Sequence, residues 1–429
     1  MRRSFRGSVE MKFKTGFGIM RKLKSYSPDR LWKECRARWH RFRYLRKTKI
    51  LAVTGSCGKT TATYFLGRIL GECGPCYAGV HRNTSRAIYK NMRKMRTSYR
   101  YLVQEMGVGF PGDMAKNIRA LPPYIGIVTT IGLDHYTSFR NREGTAAEKG
   151  TLIAALPPSG TAVLNADDPH VMAMASQTQA SILTYGCSEH VDVRGSAICS
   201  DWPQRLSLNV TYGDRSVRVE TGLFGDLLVT SLLAAIAGAL AAGVSLAQCA
   251  ASLHGVESFP ARLSIHRSPQ GSWMINDTFK APFWSVERTV GLMKNAVAPR
   301  KTVVLGVFSD TGGSGSRKYR AMAKLALEVA DRVVFVGPNA AHVRKIQTAE
   351  LADRLFTFDG FETAYRFLAD TTIQNELVLL KSGSIYHLER MLRGHEEGFN
   401  CWRETCSEKI DCADCPNRFG TQSADRFDC

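Results

Sequence analysis

No stretch of this 429-residue chain is apolar for long enough to cross a bilayer, which takes about 18 or more consecutive residues. The nearest approach, Leu227 to Val244, is rich in Ala and Gly and reads as a buried helix. The N-terminus lacks the apolar centre of a secretory signal. There is no internal repeat, which argues against a solenoid, and no low-complexity linker long enough to free one domain from another. Acidic residues are few, 38 against 58 Lys and Arg. Cysteine is not scarce, at 12, but eight are scattered, among them Cys57, Cys73 and Cys76. That pattern is not a disulfide framework; it predicts a reducing compartment and a cytoplasmic protein.

The net charge of +20 is concentrated at one end. Residues 1–50 hold 17 Lys and Arg against three Asp and Glu, so the body of the protein is only mildly basic. The arm, residues 1–48, interleaves Trp32, Trp39, Phe42 and Tyr44 with its cations. Three readings compete: a helix docked on the next domain, a contact with an anionic membrane surface or polymer, and an organelle transit segment or mis-assigned start.

From Lys49 onward apolar strand-like runs alternate with segments of helical length. The runs are Ile50–Val53, Tyr101–Gln104, Ile125–Thr130, Ala162–Leu164 and Ile182–Tyr185. Such alternation predicts an α/β fold with a mostly parallel sheet. Val191 to Thr221, with short alternating runs around Tyr212-Gly213-Asp214, predicts a small antiparallel appendage. A second α/β block follows, with strands at Trp273–Asn276, Thr302–Val307, Arg332–Val336, Leu355–Phe358 and Leu377–Lys381. The expected division is an arm (1–48), a nucleotide-binding central domain (49–255), a C-terminal α/β domain (256–395) and a Cys-rich tail (396–429).

The strongest local signal is Ile50-Leu-Ala-Val-Thr54-Gly55-Ser56-Cys57-Gly58-Lys59-Thr60-Thr61, an apolar strand entering a Gly-containing turn and then a helix. Glycines let backbone N–H groups close on an anion, and the helix N-terminus adds favourable partial charge. Lys59 is placed to reach the β- and γ-phosphates, and Thr60 to bind Mg²⁺. Val53 stands where the usual phosphate-loop pattern has its first glycine. A plain Gly turn opening a helix is the bland reading.

The variant Thr-Gly-Ser-Cys-Gly-Lys-Thr-Thr resembles the phosphate loop of the Mur ligase family, and further segments resemble that family in order. Val103-Gln104-Glu105-Met106-Gly107 is similar to its strand-end, Mg²⁺-binding glutamate segment. Ile131-Gly132-Leu133-Asp134-His135 is similar to its second-metal histidine motif. Ala146-Ala147-Glu148-Lys149 resembles the helix whose lysine is carbamylated in several members. Leu164-Asn165-Ala166-Asp167-Asp168-Pro169, Pro260-Ala261-Arg262-Leu263, Asn276-Asp277-Thr278-Phe279-Lys280-Ala281-Pro282 and Leu380-Lys381-Ser382-Gly383-Ser384 also have counterparts. The resemblance covers roughly residues 49–393 and is nearest to the D-alanyl-D-alanine-adding branch.

What the resemblance implies is a P-loop central domain, a Rossmann-like C-terminal domain, and ATP- and Mg²⁺-dependent joining of a carboxylate to an amine through an acyl-phosphate. It implies catalytic roles for Lys59, His135 and Lys149. ATP would be held by Thr54, Gly55, Ser56, Cys57, Gly58, Lys59, Thr60, Thr61, Arg262 and Asp277, and Mg²⁺ by Thr60, Glu105, His135 and Lys149. The bland readings are a satisfied histidine, a solvated lysine, an ordinary strand-end cap at Asp277 and a surface pair at Arg262. The partners would be a small-molecule or peptide carboxylate and an amino acid or peptide amine. Two departures count against a UDP-muramyl substrate: only about 48 residues stand where the family has a UDP-sugar domain, and Asp226 and Lys280 occupy positions often filled by other residues.

The tail carries Cys401-x4-Cys406-x5-Cys412-x2-Cys415. Four thiolates suit a structural Zn²⁺; an iron–sulfur cluster and free thiols are the other readings. Two alternative functions remain: a P-loop ATPase that grips nucleic acid or another anionic polymer through the arm, and a ligase subunit partnered with a glutamine amidotransferase.

Overall fold

The computed structural model of the chain describes residues 28–95, 99–132, 136–309, 315–406, 408, 412 and 414–419. Its first sheet has nine strands: β1 (Lys49–Thr54), β2 (Cys76–Gly79), β3 (Tyr101–Glu105), β4 (Ile125–Val128), β5 (Thr161–Asn165), β6 (Ser181–Gly186), β7 (Val193–Cys199), β8 (Ser207–Tyr212) and β9 (Arg215–Glu220). They lie in the order β2-β3-β1-β4-β5-β6-β7-β8-β9. Pairing from β2 through β7 is parallel, and β7-β8-β9 is antiparallel. The antiparallel strands read from Val191–Thr221 therefore extend the central sheet at one edge instead of standing off it. β6 and β7 pair only at Tyr185–Val193 and Gly186–Arg194. So short a ladder between two consecutive strands leaves no local trace in the sequence.

Strands β1, β3 and β4 are almost continuously apolar and buried, as parallel strands covered on both faces must be. One cover is the helix Val229–Ala241, apolar all round and buried over most of its length, which packs on the helix Lys59–Glu72 and on β4, β5, β6 and β7. The arm helix, Pro28–Tyr44, docks on the helices Ser85–Met92 and Asp113–Ala120. Ala37 and Leu45 are buried there, and the His40 ring lies 2.8 Å from the Met95 carbonyl.

The second sheet contains β10 (Ser264–Arg267), β11 (Trp273–Asp277), β12 (Lys301–Leu305), β13 (Arg332–Val336), β14 (Leu355–Phe358) and β15 (Leu377–Lys381), in the order β10-β11-β15-β12-β13-β14. Only β10 runs antiparallel. One continuous apolar core joins the two sheets, from Leu51 and Val53 to Val303 and Leu379. Trp202 meets Trp273 edge-on at 5.3 Å across the junction.

Connectivity places the crevices. From β1 the chain crosses outward to β2, returns through β3, then passes to the opposite side of β1 as β4. The strand order reverses at β1, and in open α/β sheets a ligand crevice lies at the carboxyl ends of the strands at such a point. In the second sheet β15 inserts between β11 and β12, which sets Asp277 directly beside Lys381.

Candidate active site

At the carboxyl end of β1 the chain turns through Gly55 (φ 143°) and Gly58 (φ 81°), and the helix opens at Lys59. Both glycines are required. A Cβ on Gly55 would lie 2.0 Å from the Thr129 hydroxyl, and one on Gly58 would lie 2.5 Å from the Ser231 hydroxyl while the backbone is left-handed. The first N–H groups of the helix have no acceptor within it and so face the loop. Lys59 folds back over this concavity, donating to the Gly55 carbonyl and to that of Ser56 at 3.3 Å. Ser56 N donates to Thr130 O at 2.7 Å, and its hydroxyl accepts from Gly132 N at 2.9 Å. Thr54 is tied to Met106 O at 2.8 Å, Cys57 is exposed, and Thr61 is buried.

β3 delivers Glu105 to the same end. Its carboxylate is 2% exposed and accepts from the Thr60 hydroxyl at 3.0 Å, His81 N at 3.1 Å and the Asn83 amide at 2.9 Å. A buried carboxylate held by three donors and touching the first threonine of the helix is a ready pair of hard oxygen ligands, the kind Mg²⁺ takes. The donor set therefore fits the ion. The sequence indicated Thr60 and Glu105 but missed His81 and Asn83. Both sit in the irregular loop after β2, where no periodicity marks them.

The segment after β4 forms the other wall. Asn165 donates to Thr129 O at 2.8 Å, and Asp168 accepts from Ile131 N at 2.7 Å while capping the next helical turn. The Asn-Ala-Asp-Asp run therefore acts through the backbone, setting residues 129–132 against the phosphate loop. His135, with Leu133 and Asp134, lies outside the described residues. Lys149 is on the helix Arg142–Ala154 and is 1% exposed. A solvated lysine is excluded by that burial, and an ammonium so deeply placed is costly.

From the second sheet, Arg262 lays its guanidinium over the Phe279 ring at 4.3 Å. The flanking residues, Ala261 (φ 56°) and Leu263 (φ 59°), are both left-handed, a strain of about 1–3 kcal/mol each that persists only where the surroundings impose it. Phe279 stacks on His81 at 4.3 Å, so this contact bridges the two sheets beside Glu105. Burial holds His81 below its ordinary pKa; Glu105 opposes this and Arg262 adds to it. Asp277 is committed to Lys381, whose ammonium lies 2.5 Å away, and to Thr289 at 3.3 Å. Lys381 also donates to Lys280 O at 2.9 Å. Its pairing with Asp277 became visible only with the β11/β15 register. Trp284 packs over Gly132 and the Ser56 side of the loop, and its buried Nε1 has no hydrogen-bond partner among the described residues.

Two features lie outside this cluster. Cys401, Cys406, Cys412 and Cys415 line one small cavity with His387, Arg390, Phe399 and Glu408. On the outer face of the arm helix Trp39 and Phe42 are 60% and 67% exposed. No helix among the described residues is long and apolar enough to cross a membrane.

Comparison with known proteins gives a consistent picture. Residues 53–239 match the Mur ligase middle domain. The UDP-N-acetylmuramoyl-tripeptide–D-alanyl-D-alanine ligase of Mycobacterium tuberculosis is 31% identical over 299 residues, covering 67% of this chain and 58% of the relative. The Escherichia coli ligase of the same name is 23% identical over 363 residues, covering 82% of this chain and 78% of its own. Among solved structures, MurF from Acinetobacter baumannii superposes with a TM-score of 0.76 at 24% identity, over 85% of this chain and 80% of that one. MurF from Thermotoga maritima in complex with ADP gives 0.72 at 19% identity, over 91% and 86%. The chain thus spans less than two thirds of the length of the mycobacterial relative, and at these identities the solved structures speak for the fold.

Proposed function

We propose that the chain, whose residues 53–239 match the Mur ligase middle domain, is a member of that family and an ATP-dependent ligase joining a carboxylate to an amine through an acyl-phosphate, with release of ADP and phosphate. The observation that carries this reading is the convergence of Lys59, Thr60 and Glu105 at the β1/β3 switch point, faced by the Arg262–Phe279 stack from the second sheet. A nucleotide-binding switch alone needs no second sheet closing over its phosphates. A reaction whose activated acyl group must be kept from water does.

In the proposed reaction a carboxylate oxygen attacks the γ-phosphorus in line, and the bond from phosphorus to the ADP oxygen breaks. The amine nitrogen then attacks the acyl carbon, phosphate leaves with the electrons of the carbon–oxygen bond, and the amine gives up a proton. The backbone of residues 55–60 cradles the phosphates. Lys59 exchanges its loop carbonyls for phosphate oxygens. Thr60 and Glu105 would hold Mg²⁺, which would supply neutralising charge to the phosphate oxygens. Arg262 and Asp277 are the proposed nucleotide contacts of the second sheet, Asp277 acting through its pair with Lys381. Lys149 and His135 are proposed for the second metal; as a carbamate, the buried Lys149 would carry the negative charge such a ligand needs.

The relatives are named for joining D-alanyl-D-alanine to a UDP-linked muramoyl tripeptide. For this chain the proposal extends to the class: a peptide or small-molecule carboxylate and an amino acid or peptide amine. The arm helix, with Trp39 and Phe42 exposed among Arg36, Arg43 and Arg46, is proposed as a contact for an anionic surface or polymer. The discriminating experiment is an ADP-release screen over paired carboxylates and amines, with Lys59→Ala alongside. Release that requires both substrates and falls on the order of 10²–10³-fold in the variant supports the ligase. Turnover driven by nucleic acid with no amine required overturns it.

A further inference from the structure

The tail holds a second site. Cys401, Cys406, Cys412 and Cys415 are spread over residues 401–415 of the sequence, yet all four line one cavity of about 10 Å³. Space on that scale holds one water or one small ion and is too small for a four-iron cluster. Cys412 and Cys415 are buried, and none of the four is in a disulfide. Cys406 is fixed by its N–H on Ile385 O at 2.9 Å, and Cys415 by its N–H on Cys412 O at 3.4 Å.

The groups around the cysteines point to negative charge on the sulfurs. Arg390 is 0% exposed. Its Nη1 donates to Arg403 O, while Nε and Nη2 have no close hydrogen-bond partner among the described residues, and the side chain lines the same cavity. A guanidinium so enclosed favours negative charge on the sulfurs beside it, because an unpaired buried charge is strongly destabilising. Glu389 shares this neighbourhood, its carboxylate bonded to His387 Nδ1 at 2.6 Å and accepting from the Thr278 hydroxyl at 3.2 Å. A divalent ion bound by four thiolates carries net charge −2. It would give the two open N–H donors of Arg390 anionic sulfur to face.

His387, Glu389 and Cys412 also place their ligand atoms within 4.8 Å of one another, so a mixed site is the competing assignment. The 2.6 Å contact between His387 Nδ1 and Glu389 is a hydrogen bond, closer than two ligands of one ion approach. Both nitrogens of His387 are in use, Nδ1 with Glu389 and Nε2 on Glu408 O at 3.2 Å. Cys412 Sγ lies 3.5 Å from Nδ1, a separation that an outer donor to a thiolate and a fellow ligand of one ion share, so the variants below separate the two assignments. His387 is held in the left-handed region (φ 45°, ψ 51°) to make these contacts.

We propose that Cys401, Cys406, Cys412 and Cys415 form a structural four-thiolate site for a soft divalent cation of the zinc class, with His387 and Arg390 as outer-sphere donors. Binding displaces the four thiol protons and leaves oxidation states unchanged. The site pins the tail to the second sheet, where Trp402 stacks on Tyr365 at 5.1 Å. Through Glu389 and Thr278 it also steadies the end of β11 next to Asp277. None of this depends on the ligase reading, and its test reads metal, not turnover.

The full chain, purified without chelator from zinc-supplied cells, is expected to carry about one zinc per chain by elemental analysis. Chelation followed by Co²⁺ should give the thiolate-to-metal charge-transfer band and intense visible bands of a tetrahedral thiolate site. Cys401→Ser and Cys415→Ser should lose the bound metal, whereas Cys57→Ser and Cys73→Ser keep it. His387→Gln should keep the stoichiometry and weaken affinity about 10–100-fold. Because a cysteine variant could fail to fold, the Co²⁺ titration of the wild-type chain stands as an independent test. A wild-type chain that neither retains zinc nor shows the cobalt–thiolate band overturns the proposal. So does iron with acid-labile sulfide, or metal that survives Cys401→Ser but is lost in His387→Gln.

Discussion

Removing the ammonium of Lys381 tests whether the end of β11 is built around a desolvated ion pair. Lys381 and Asp277 are 3% and 6% exposed and 2.5 Å apart, so solvent screens them little. In Lys381→Met the Asp277 carboxylate keeps, among the described residues, the Thr289 hydroxyl at 3.3 Å. Stranding one member of a buried pair costs about 3–5 kcal/mol, a large share of the roughly 5–15 kcal/mol that holds a domain folded. With urea slopes of about 1–3 kcal/mol/M, the midpoint of the transition that unfolds the second sheet should fall by about 1–5 M. Asp277→Asn should also destabilise, by leaving the ammonium with the Lys280 carbonyl alone. The double variant should cost less than the sum of the two, with a coupling of on the order of 2–3 kcal/mol. The assay is urea unfolding of all four proteins by circular dichroism. Additive costs, or a shift under about 1 kcal/mol in Lys381→Met, would refute a desolvated pair.

Gly58→Ala should lower the melting temperature and weaken nucleotide binding, because φ 81° and the Ser231 hydroxyl at 2.5 Å both oppose a Cβ. Adding Ser231→Ala should relieve the contact and leave about 1–2 kcal/mol of backbone strain. Cys57 is exposed in the loop, so iodoacetamide at about pH 8 should label it and Mg-ATP should block the labelling, read by peptide mass mapping. Burial pushes Cys76 and Cys249 up to about 12. Only on the order of one part in 10⁴ of each is then thiolate at that pH, and both should stay unlabelled until the chain unfolds. Arg41 donates to the Arg119 and Ala120 carbonyls at 3.0 and 2.5 Å. Arg41→Ala should therefore cost about 1–2 kcal/mol in thermal unfolding, while Arg43→Ala, on the exposed side, changes stability by less than about 0.5 kcal/mol.

Legibility followed range. The phosphate loop is chemistry written in consecutive residues, so Gly55, Gly58, Lys59 and Thr60 could be read directly, as could the apolar strands β1, β3 and β4. β2 and β10 were not anticipated: they are four-residue edge strands, Cys-Tyr-Ala-Gly and Ser-Ile-His-Arg, that bury little and show no clear alternation. β7 to β9 had readable alternation, but whether they stand apart or extend the sheet depends on the Tyr185–Val193 pairing, which no local pattern encodes. In the site itself, His81 and Asn83 reach Glu105 from a loop, and Lys381 meets Asp277 from 104 positions away. The four tail cysteines were conspicuous by spacing. The buried Arg390 that faces them was not, since nothing about an arginine in sequence says that it will be enclosed.

The central claim is that the γ-phosphate passes to a carboxylate oxygen. Once a substrate pair is in hand, the carboxylate labelled with heavy oxygen and the phosphate analysed by mass spectrometry give the most direct test. An acyl-phosphate route must carry one heavy oxygen from the acid into each phosphate released, and Lys59→Ala must abolish that transfer along with ADP formation. Unlabelled phosphate, released at the same rate with or without the amine, would contradict it.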